Sequence, residues 1–126
     1  MQIICVDDHP VILHGLVKEV QSVLPGARVN GFIRAREALD FSERNGCDVL
    51  FCEIDLYGYD GMTFAEQMRE RFPRANIVFA TVCSEHEHAK EVLRLRPSGY
   101  LTKPVTREQI AEELQNLRYP VCECAG

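Results

Sequence analysis

Basic residues are in short supply in this sequence. Its 126 residues include 14 Lys and Arg against 19 Asp and Glu, which gives a formal charge of −5 at pH 7. A basic face of the kind that binds nucleic acid is therefore not expected in this segment. The sequence also lacks an apolar run of about 18 residues, the length that a membrane helix needs, and a basic-then-apolar leader. We therefore expect a soluble, cytoplasmic protein with no membrane contact.

Metal-type cysteine spacing is also missing. There are six cysteines, but no CxxC pair occurs, and Cys122 and Cys124 form only a CxC without a nearby His. Zinc motifs need other ligand spacings, so no zinc site is expected. Without a secretory signal, a disulfide framework is not expected either. Cys5 and Cys52 lie inside apolar runs, where cysteine acts as a small hydrophobic residue.

What the sequence does contain is a regular alternation of apolar runs and amphipathic segments. The length fits one compact domain. Strands are predicted at residues 2–6, 27–32, 48–52, 76–81 and 99–102, and helices at 10–24, 35–44, 62–72, 84–95 and 106–117. The strand runs are almost continuously apolar, which is typical of a sheet covered on both faces. We therefore predict an α/β fold, a five-stranded parallel sheet with helices on both faces.

Three helix boundaries carry local signals. Ser84 with Glu87, and Thr106 with Gln109, have the spacing of a capping box. Asp60 precedes the third predicted helix and is expected to be a turn or cap residue.

Polar side chains gather where the predicted strands end. In a doubly wound sheet the functional groups lie at the carboxyl ends of the strands, beside the switch point in strand order. The groups found there are Asp7, Asp8, Glu53, Asp55, Thr81 and Lys103. The carboxylates would repel one another, so Lys103 or a bound cation is expected to compensate them. Oxygen ligands of this type suit Mg²⁺, and the set could stabilise a phosphoryl group.

A simpler interpretation exists for each residue taken alone. One acid at a strand end is usually a helix cap or a solvated loop residue, but compatible groups at four strand ends are not expected by chance. His9 and His14 are expected to be packing or surface residues. His86 and His88 are two residues apart and would not share a helix face, so we expect them to be solvated.

With these motifs the sequence resembles the receiver domain of bacterial two-component response regulators, the CheY-like family. The similar segments are VDDHP (6–10), FCEIDLYGYDG (51–61) and GYLTKP (99–104), which match its acidic pair, phosphoacceptor loop and lysine motif. The resemblance implies a flavodoxin-like sheet in the order 2-1-3-4-5. It also implies a receiver domain over residues 1–118, with 119–126 as a tail or the beginning of a linker to an absent effector domain.

In that family an aspartate accepts a phosphoryl group from a sensor histidine kinase while Mg²⁺ is bound. The resemblance implies that the metal ligands are Asp7, Asp8, Glu53 and, through its backbone carbonyl, Asp55. We expect weak Mg²⁺ binding.

The resemblance also assigns the remaining polar groups. Thr81 and Lys103 would contact phosphoryl oxygens, and Thr81 and Tyr100 would be the switch residues. Implied partners are the kinase or another signalling protein, and a second copy of the chain through the fourth helix, fifth strand and fifth helix. DNA would be contacted only through the absent C-terminal effector domain.

The register of the phosphoacceptor loop singles out one acid. The family motif has a glycine eight residues after the acceptor, and counting back from Gly61 leads to Glu53, whereas Asp55 and Asp60 do not fit. Tyr57 replaces the proline that usually follows the acceptor. The extra methylene moves the carboxylate by about 1.5 Å, enough to disturb an in-line attack. The carboxylate could then contact Lys103 or Thr81, and we hypothesise signalling without ordinary aspartyl phosphorylation.

Two other classes of protein share parts of this pattern. The segment EID (53–55) is similar to the DxD of phosphoaspartyl phosphatases, although its first acid is glutamate and we expect no cap domain within these 126 residues. A flavodoxin would need a phosphate-binding first loop, which DDHP would repel. Within the receiver class, the chain is either a stand-alone receiver or the regulatory part of a transcription factor, such as a LytR-type activator.

Overall fold

The computed structural model describes residues 1–56, 59–82 and 89–121. The strands are β1 (Gln2–Val6), β2 (Arg28–Phe32), β3 (Val49–Cys52), β4 (Asp55–Leu56), β5 (Tyr59–Asp60), β6 (Asn76–Thr81) and β7 (Gly99–Thr102). The helices are α1 (Pro10–Val23), α2 (Ala35–Asn45), α3 (Gly61–Arg71), α4 (Ala89–Arg94) and α5 (Arg107–Gln115). None of the helices in these ranges is both long and apolar enough to cross a bilayer.

Five of the strands form one parallel sheet in the order β2-β1-β3-β6-β7. This confirms the predicted α/β fold and strand order, since only the numbering differs. The numbering shifts because β4 and β5 pair with each other as a short antiparallel hairpin, which the sequence did not predict. Strands of two residues are too short to show an alternation of polar and apolar side chains, so no sequence pattern marks them.

The central strands β1, β3 and β6 are buried on both faces because their residues alternate between two apolar layers. In β1, Ile4 and Val6 belong to the layer that α2 and α3 cover, whereas Ile3 and Cys5 belong to the layer of α1 and α5. All five residues of β1 are at most 8% exposed. This two-sided burial explains the continuous apolar runs, which a half-exposed strand would not need.

The helix boundaries follow local hydrogen bonds. The predicted capping box at Thr106 and Gln109 is present, with Gln109 N–H donating to Thr106 Oγ1 at 3.1 Å. Asp60 caps α3, since its carboxylate accepts a hydrogen bond from Met62 N–H at 3.0 Å. The predicted capping box at Ser84 and Glu87 lies outside the described residues, as do His86 and His88.

Candidate functional site

A buried lysine stands at the centre of the carboxyl edge of the sheet. Lys103 follows β7, and its backbone N–H donates to the carbonyl of Thr81 at 2.9 Å, which fixes the loop beside β6. Its side chain is only 8% exposed and its Nζ donates to Asp7 Oδ2 and, at 2.6 Å, to Glu53 Oε1. The expected counter-charge is therefore in direct contact with acids from two different strand ends.

These contacts decide the charge of the lysine. Burial by itself would lower the pKa of Lys103, but hydrogen bonds and negative charges from Asp7 and Glu53 outweigh burial and raise its pKa. The stabilisation is fully present below the ordinary lysine pKa and is lost as the pH rises through the raised value. At neutral pH the lysine therefore stays a cation between the two acids.

The carboxylate of Glu53 is held on both sides. The residue is 3% exposed at the end of β3, and its backbone N–H donates to Val6 O at 3.1 Å across to β1. Its Oε1 accepts the hydrogen bond from Lys103, and its Oε2 accepts one from Asp55 N–H at 3.1 Å. Direct contact with Lys103, one of the two contacts predicted for the longer side chain, is thus present.

Gly61, from which the position of the phosphoacceptor was counted, packs against the backbone of Glu53. Gly61 N–H donates to Ile54 O at 3.0 Å. A Cβ at position 61 would lie 2.3 Å from Glu53 O and 2.4 Å from Ile54 O, distances that real Cβ atoms do not adopt. The spacing between Glu53 and Gly61 therefore has a steric cause, because the start of α3 rests directly on the loop that leaves β3.

The acidic pair after β1 is joined by a histidine. Asp7 is 1% exposed, and its Oδ1 accepts a hydrogen bond from His9 N–H at 2.9 Å. His9 Nδ1 lies 3.4 Å from Asp7 Oδ1 and 3.1 Å from Asp8 Oδ1, and one ligand atom from each residue falls within 4.8 Å of the others. His9 was expected to be a packing or surface residue. Its side chain is exposed, yet it also belongs to this cluster.

The other acids of the loop after β3 have different positions. The side chain of Asp55 is exposed, and its backbone N–H is directed at Glu53. Asp60 contacts the beginning of α3, where its second oxygen accepts a hydrogen bond from Thr63 Oγ1 at 3.2 Å. This places Glu53, and not Asp60, next to Lys103.

The two expected switch residues lie on neighbouring strands. Thr81 is completely buried at the end of β6. Tyr100 on β7 is half-buried and is paired in register with Phe79, with the ring centroids 6.2 Å apart. The tyrosine ring therefore sits against β6, two residues from its carboxyl end.

An apolar groove opens beside Lys103. Its volume is about 410 Å³, and it runs between α1 and the segment that joins β7 to α5. Val11 and Val82, which line it, are 85% and 66% exposed. The charged centre therefore borders an uncovered apolar surface.

Comparison with known proteins identifies the family. The model of the response regulator receiver domain matches residues 3–115 of this chain, which includes every strand end described above. The chain belongs to this family. Solved receiver domains have the same fold, among them one from Methanospirillum hungatei with a TM-score of 0.81, 23% identity and 90% of each chain covered. A receiver domain from Clostridium thermocellum gives a TM-score of 0.81 at 20% identity, with 91% of each chain covered.

Two curated relatives of this receiver domain are regulators by name. The positive alginate biosynthesis regulatory protein of Pseudomonas aeruginosa is 31% identical over 122 residues, which are 95% of this chain and 48% of the relative. The nitrate/nitrite response regulator NarL of Escherichia coli is 26% identical over 113 residues, 89% of this chain and 52% of the relative. The receiver domain thus spans about half the length of these relatives.

Proposed function

We propose that this receiver domain transmits a signal to an output without ordinary phosphorylation at the end of β3. The proposal rests on the hydrogen bonding of Glu53. One of its carboxylate oxygens is bound by Lys103 at 2.6 Å and the other by Asp55 N–H at 3.1 Å. The steric contact between Gly61 and Glu53 supports the register that puts glutamate at the phosphoacceptor position.

With both oxygens hydrogen-bonded, the Glu53 carboxylate is a poor nucleophile for phosphoryl transfer. An oxygen that attacks phosphorus must be placed in line with the leaving group, and displacements on the order of 1 Å are costly. Glu53 Oε1 is bound by Lys103, a residue that would contact phosphoryl oxygens. Attack would therefore require the loss of an ion pair with a side chain that is 8% exposed.

The same contacts make Glu53 a partial substitute for the modified acid. It brings about one negative charge to Lys103, where a phosphoryl group would bring nearly two. This supports a receiver that is fixed near one state, or one that is controlled by a cue other than phosphorylation.

Mg²⁺ fits the acidic side of the site. Asp7 and Asp8 offer the hard oxygen ligands that Mg²⁺ prefers, and we propose that Glu53 and the backbone carbonyl of Asp55 complete the protein ligands. The ion would supply positive charge among the carboxylates. Because Lys103 already neutralises part of this charge, weak binding is expected, and a Mg²⁺ titration followed by NMR chemical shifts would measure it. Unchanged shifts at Asp7 and Asp8 in millimolar Mg²⁺ would contradict this part of the proposal.

The proposed output is transcriptional and lies outside the receiver fold. The relatives named above are regulatory proteins about twice as long as the matched region. We propose that this receiver domain controls a DNA-binding part that follows it, with a sensor histidine kinase or another signalling protein as its upstream partner. Sequencing the reading frame beyond Gly126 would test the first point.

A second copy of the chain is a further proposed partner. Leu93 on α4 is 73% exposed, and α4, β7 and α5 are the elements through which a homodimer is proposed. Sedimentation velocity of the wild type and of Leu93→Asp is the test. A dimer that is lost in the variant supports this face, and a monomeric wild type contradicts it.

The phosphorylation proposal is tested with a small-molecule donor. The wild type, Glu53→Asp and the matched control Asp60→Asn are incubated with acetyl phosphate and Mg²⁺, and their intact masses are measured. We expect no phosphate adduct on the wild type or on Asp60→Asn, and an adduct on Glu53→Asp. Stoichiometric, base-labile phosphate on Glu53 of the wild type would overturn the proposal. No gain in Glu53→Asp would mean that other changes, such as Tyr57, also disable the site.

A further inference from the structure

The segment that follows α5 is bound to the amino edge of the sheet, opposite the candidate site. Asn76 begins β6 and is completely buried. Its Oδ1 accepts a hydrogen bond from Tyr119 N–H at 2.7 Å, and its Nδ2 donates to Tyr119 O at 2.8 Å. The side-chain amide thus forms two hydrogen bonds with the backbone of Tyr119, one donated and one accepted, as a neighbouring strand would.

A serine directly before β7 supports this pairing. Ser98 Oγ donates to Asn76 Oδ1 at 2.8 Å and accepts a hydrogen bond from Arg118 N–H at 3.0 Å. Ser98 is itself held to β6, because its backbone N–H donates to Ile77 O at 2.8 Å. Two consecutive backbone N–H groups of the C-terminal segment are therefore bound by side chains of the sheet edge.

The ring of Tyr119 lies against a buried arginine. Arg69 of α3 is 7% exposed, and its guanidinium is 5.2 Å from the centroid of the ring. Two further guanidinium groups, of Arg74 and Arg118, lie 5.6 and 5.9 Å from the same centroid. A cation at this distance from an aromatic face is attracted to it, most strongly where the pair is desolvated.

The same arginine is also bound to the end of α4. Its Nε donates to Leu95 O at 2.9 Å, and Nη2 donates to Arg96 O at 3.3 Å. Its Nη1 donates to the α3–β6 connection, reaching Ala75 O at 2.7 Å. One planar group with several donors thus joins α4, α3 and the C-terminal segment.

We infer that Arg69, Asn76 and Ser98 form a C-terminal joint, an interaction surface that holds Arg118 and Tyr119 and couples their position to the end of α4. A displacement of α4 would move two of the carbonyls that hold Arg69, and so the guanidinium beneath Tyr119. One strand also connects the joint with the candidate site, since β6 begins at Asn76 and ends at Thr81. This inference is independent of whether Glu53 accepts a phosphoryl group.

Hydrogen exchange measured by mass spectrometry on the whole 126-residue chain tests the joint. Tyr119→Ala removes the ring, and Ser98→Ala is the milder variant that removes only the bridging hydroxyl. Gln115→Ala, on the exposed end of α5, is the matched control. We expect both joint variants to exchange about tenfold faster over residues 116–121, and Tyr119→Ala to exchange faster also over residues 95–98. Exchange in β1 and β3 should stay at the wild-type rate.

Two results would overturn the inference. Unchanged exchange over residues 116–121 in both joint variants would show that the segment is not held by these contacts. Faster exchange there in Tyr119→Ala without any change at 95–98 would show that the segment is held but not coupled to α4. If Tyr119→Ala unfolds, the comparison of Ser98→Ala with Gln115→Ala decides whether these contacts hold the segment. Arg69→Lys, which keeps the charge but loses the planar group, then decides whether the segment is coupled to α4, through its exchange over residues 116–121.

Discussion

Removal of Lys103 should show how much its ion pairs with Asp7 and Glu53 contribute to the stability of the protein. Lys103→Met keeps a long apolar side chain but leaves Asp7 and Glu53, which are 1% and 3% exposed, without their shared cation. Loss of one partner of a buried ion pair typically costs about 3–5 kcal/mol, because the remaining charge is desolvated and unpaired. We expect the free energy of unfolding at neutral pH to fall by about 3 kcal/mol.

A second substitution tests the cause of that loss. In the Lys103→Met background, Glu53→Gln removes one of the two uncompensated charges while keeping the size of the side chain. We therefore expect it to restore about 1–2 kcal/mol, a non-additive effect that neither substitution predicts alone. Lys18→Met is the matched control, since Lys18 is exposed on α1 and its loss should change stability by less than about 0.5 kcal/mol.

The assay is urea unfolding followed by far-UV circular dichroism, because the sequence contains no Trp for fluorescence. The midpoints and slopes of the wild type and the three variants give the free energies of unfolding by linear extrapolation. The reasoning is refuted if Lys103→Met is as stable as Lys18→Met, or if the double variant is less stable than Lys103→Met.

Three further predictions concern steric fit and the buried thiols. Gly61→Ala should lower the free energy of unfolding by about 3 kcal/mol or more, because a Cβ would lie 2.3 Å from a backbone oxygen, whereas Gly15→Ala, with nothing within 4 Å, should not destabilise in the same unfolding assay. Burial raises the pKa of the Cys47 thiol to about 12, so stability should be complete below pH 9 and fall as the pH rises above it, less steeply in Cys47→Ala, in urea titrations across this range. Burial also raises the pKa values of Cys5 and Cys52, so neither should react with iodoacetamide in the native protein, and peptide mapping that finds either alkylated without urea would contradict this.

Most of the fold could be predicted because its signals are local and repeated. The strands at 2–6, 76–81 and 99–102 have the predicted bounds, and the first two are short, mainly apolar runs that are buried along their whole length. The ends of α1, α2, α3 and α5 differ from the prediction by one or two residues, as with α5, which ends at Gln115, because terminal turns fray. The predicted beginning of the fourth helix, at Ser84, lies outside the described residues. The β4–β5 hairpin could not be predicted, since its pairing depends on how the loop after β3 folds back.

The candidate site was predictable in its members and only partly in its contacts. Position at strand ends was enough to group Asp7, Glu53 and Lys103, because parallel strands bring their carboxyl ends to one edge. The sequence left two contacts open for Glu53, and the structure contains the one with Lys103. His9 was expected to be a packing or surface residue, and its side chain is exposed; its position beside Asp7 and Asp8 was decided only by the structure.

The contacts of the C-terminal segment could not be predicted from the sequence pattern. Residues 119–126 carried no pattern and were expected to be a tail or the beginning of a linker, and 122–126 lie outside the described residues. Tyr119 is nevertheless bound by Asn76, a residue 43 positions earlier that the sequence marked only as the first of a strand.

By itself, then, the sequence determined the class of fold, the edge at which the charged groups meet and the presence of a glutamate eight residues before Gly61. These follow from periodicity and spacing, which act over a few residues. Only the tertiary structure decided which carboxylate oxygens Lys103 binds, that Gly61 rests on the backbone of Glu53, and that Tyr119 is held between Asn76 and Arg69. Such contacts join residues far apart in the chain, and their existence depends on packing that no local pattern encodes.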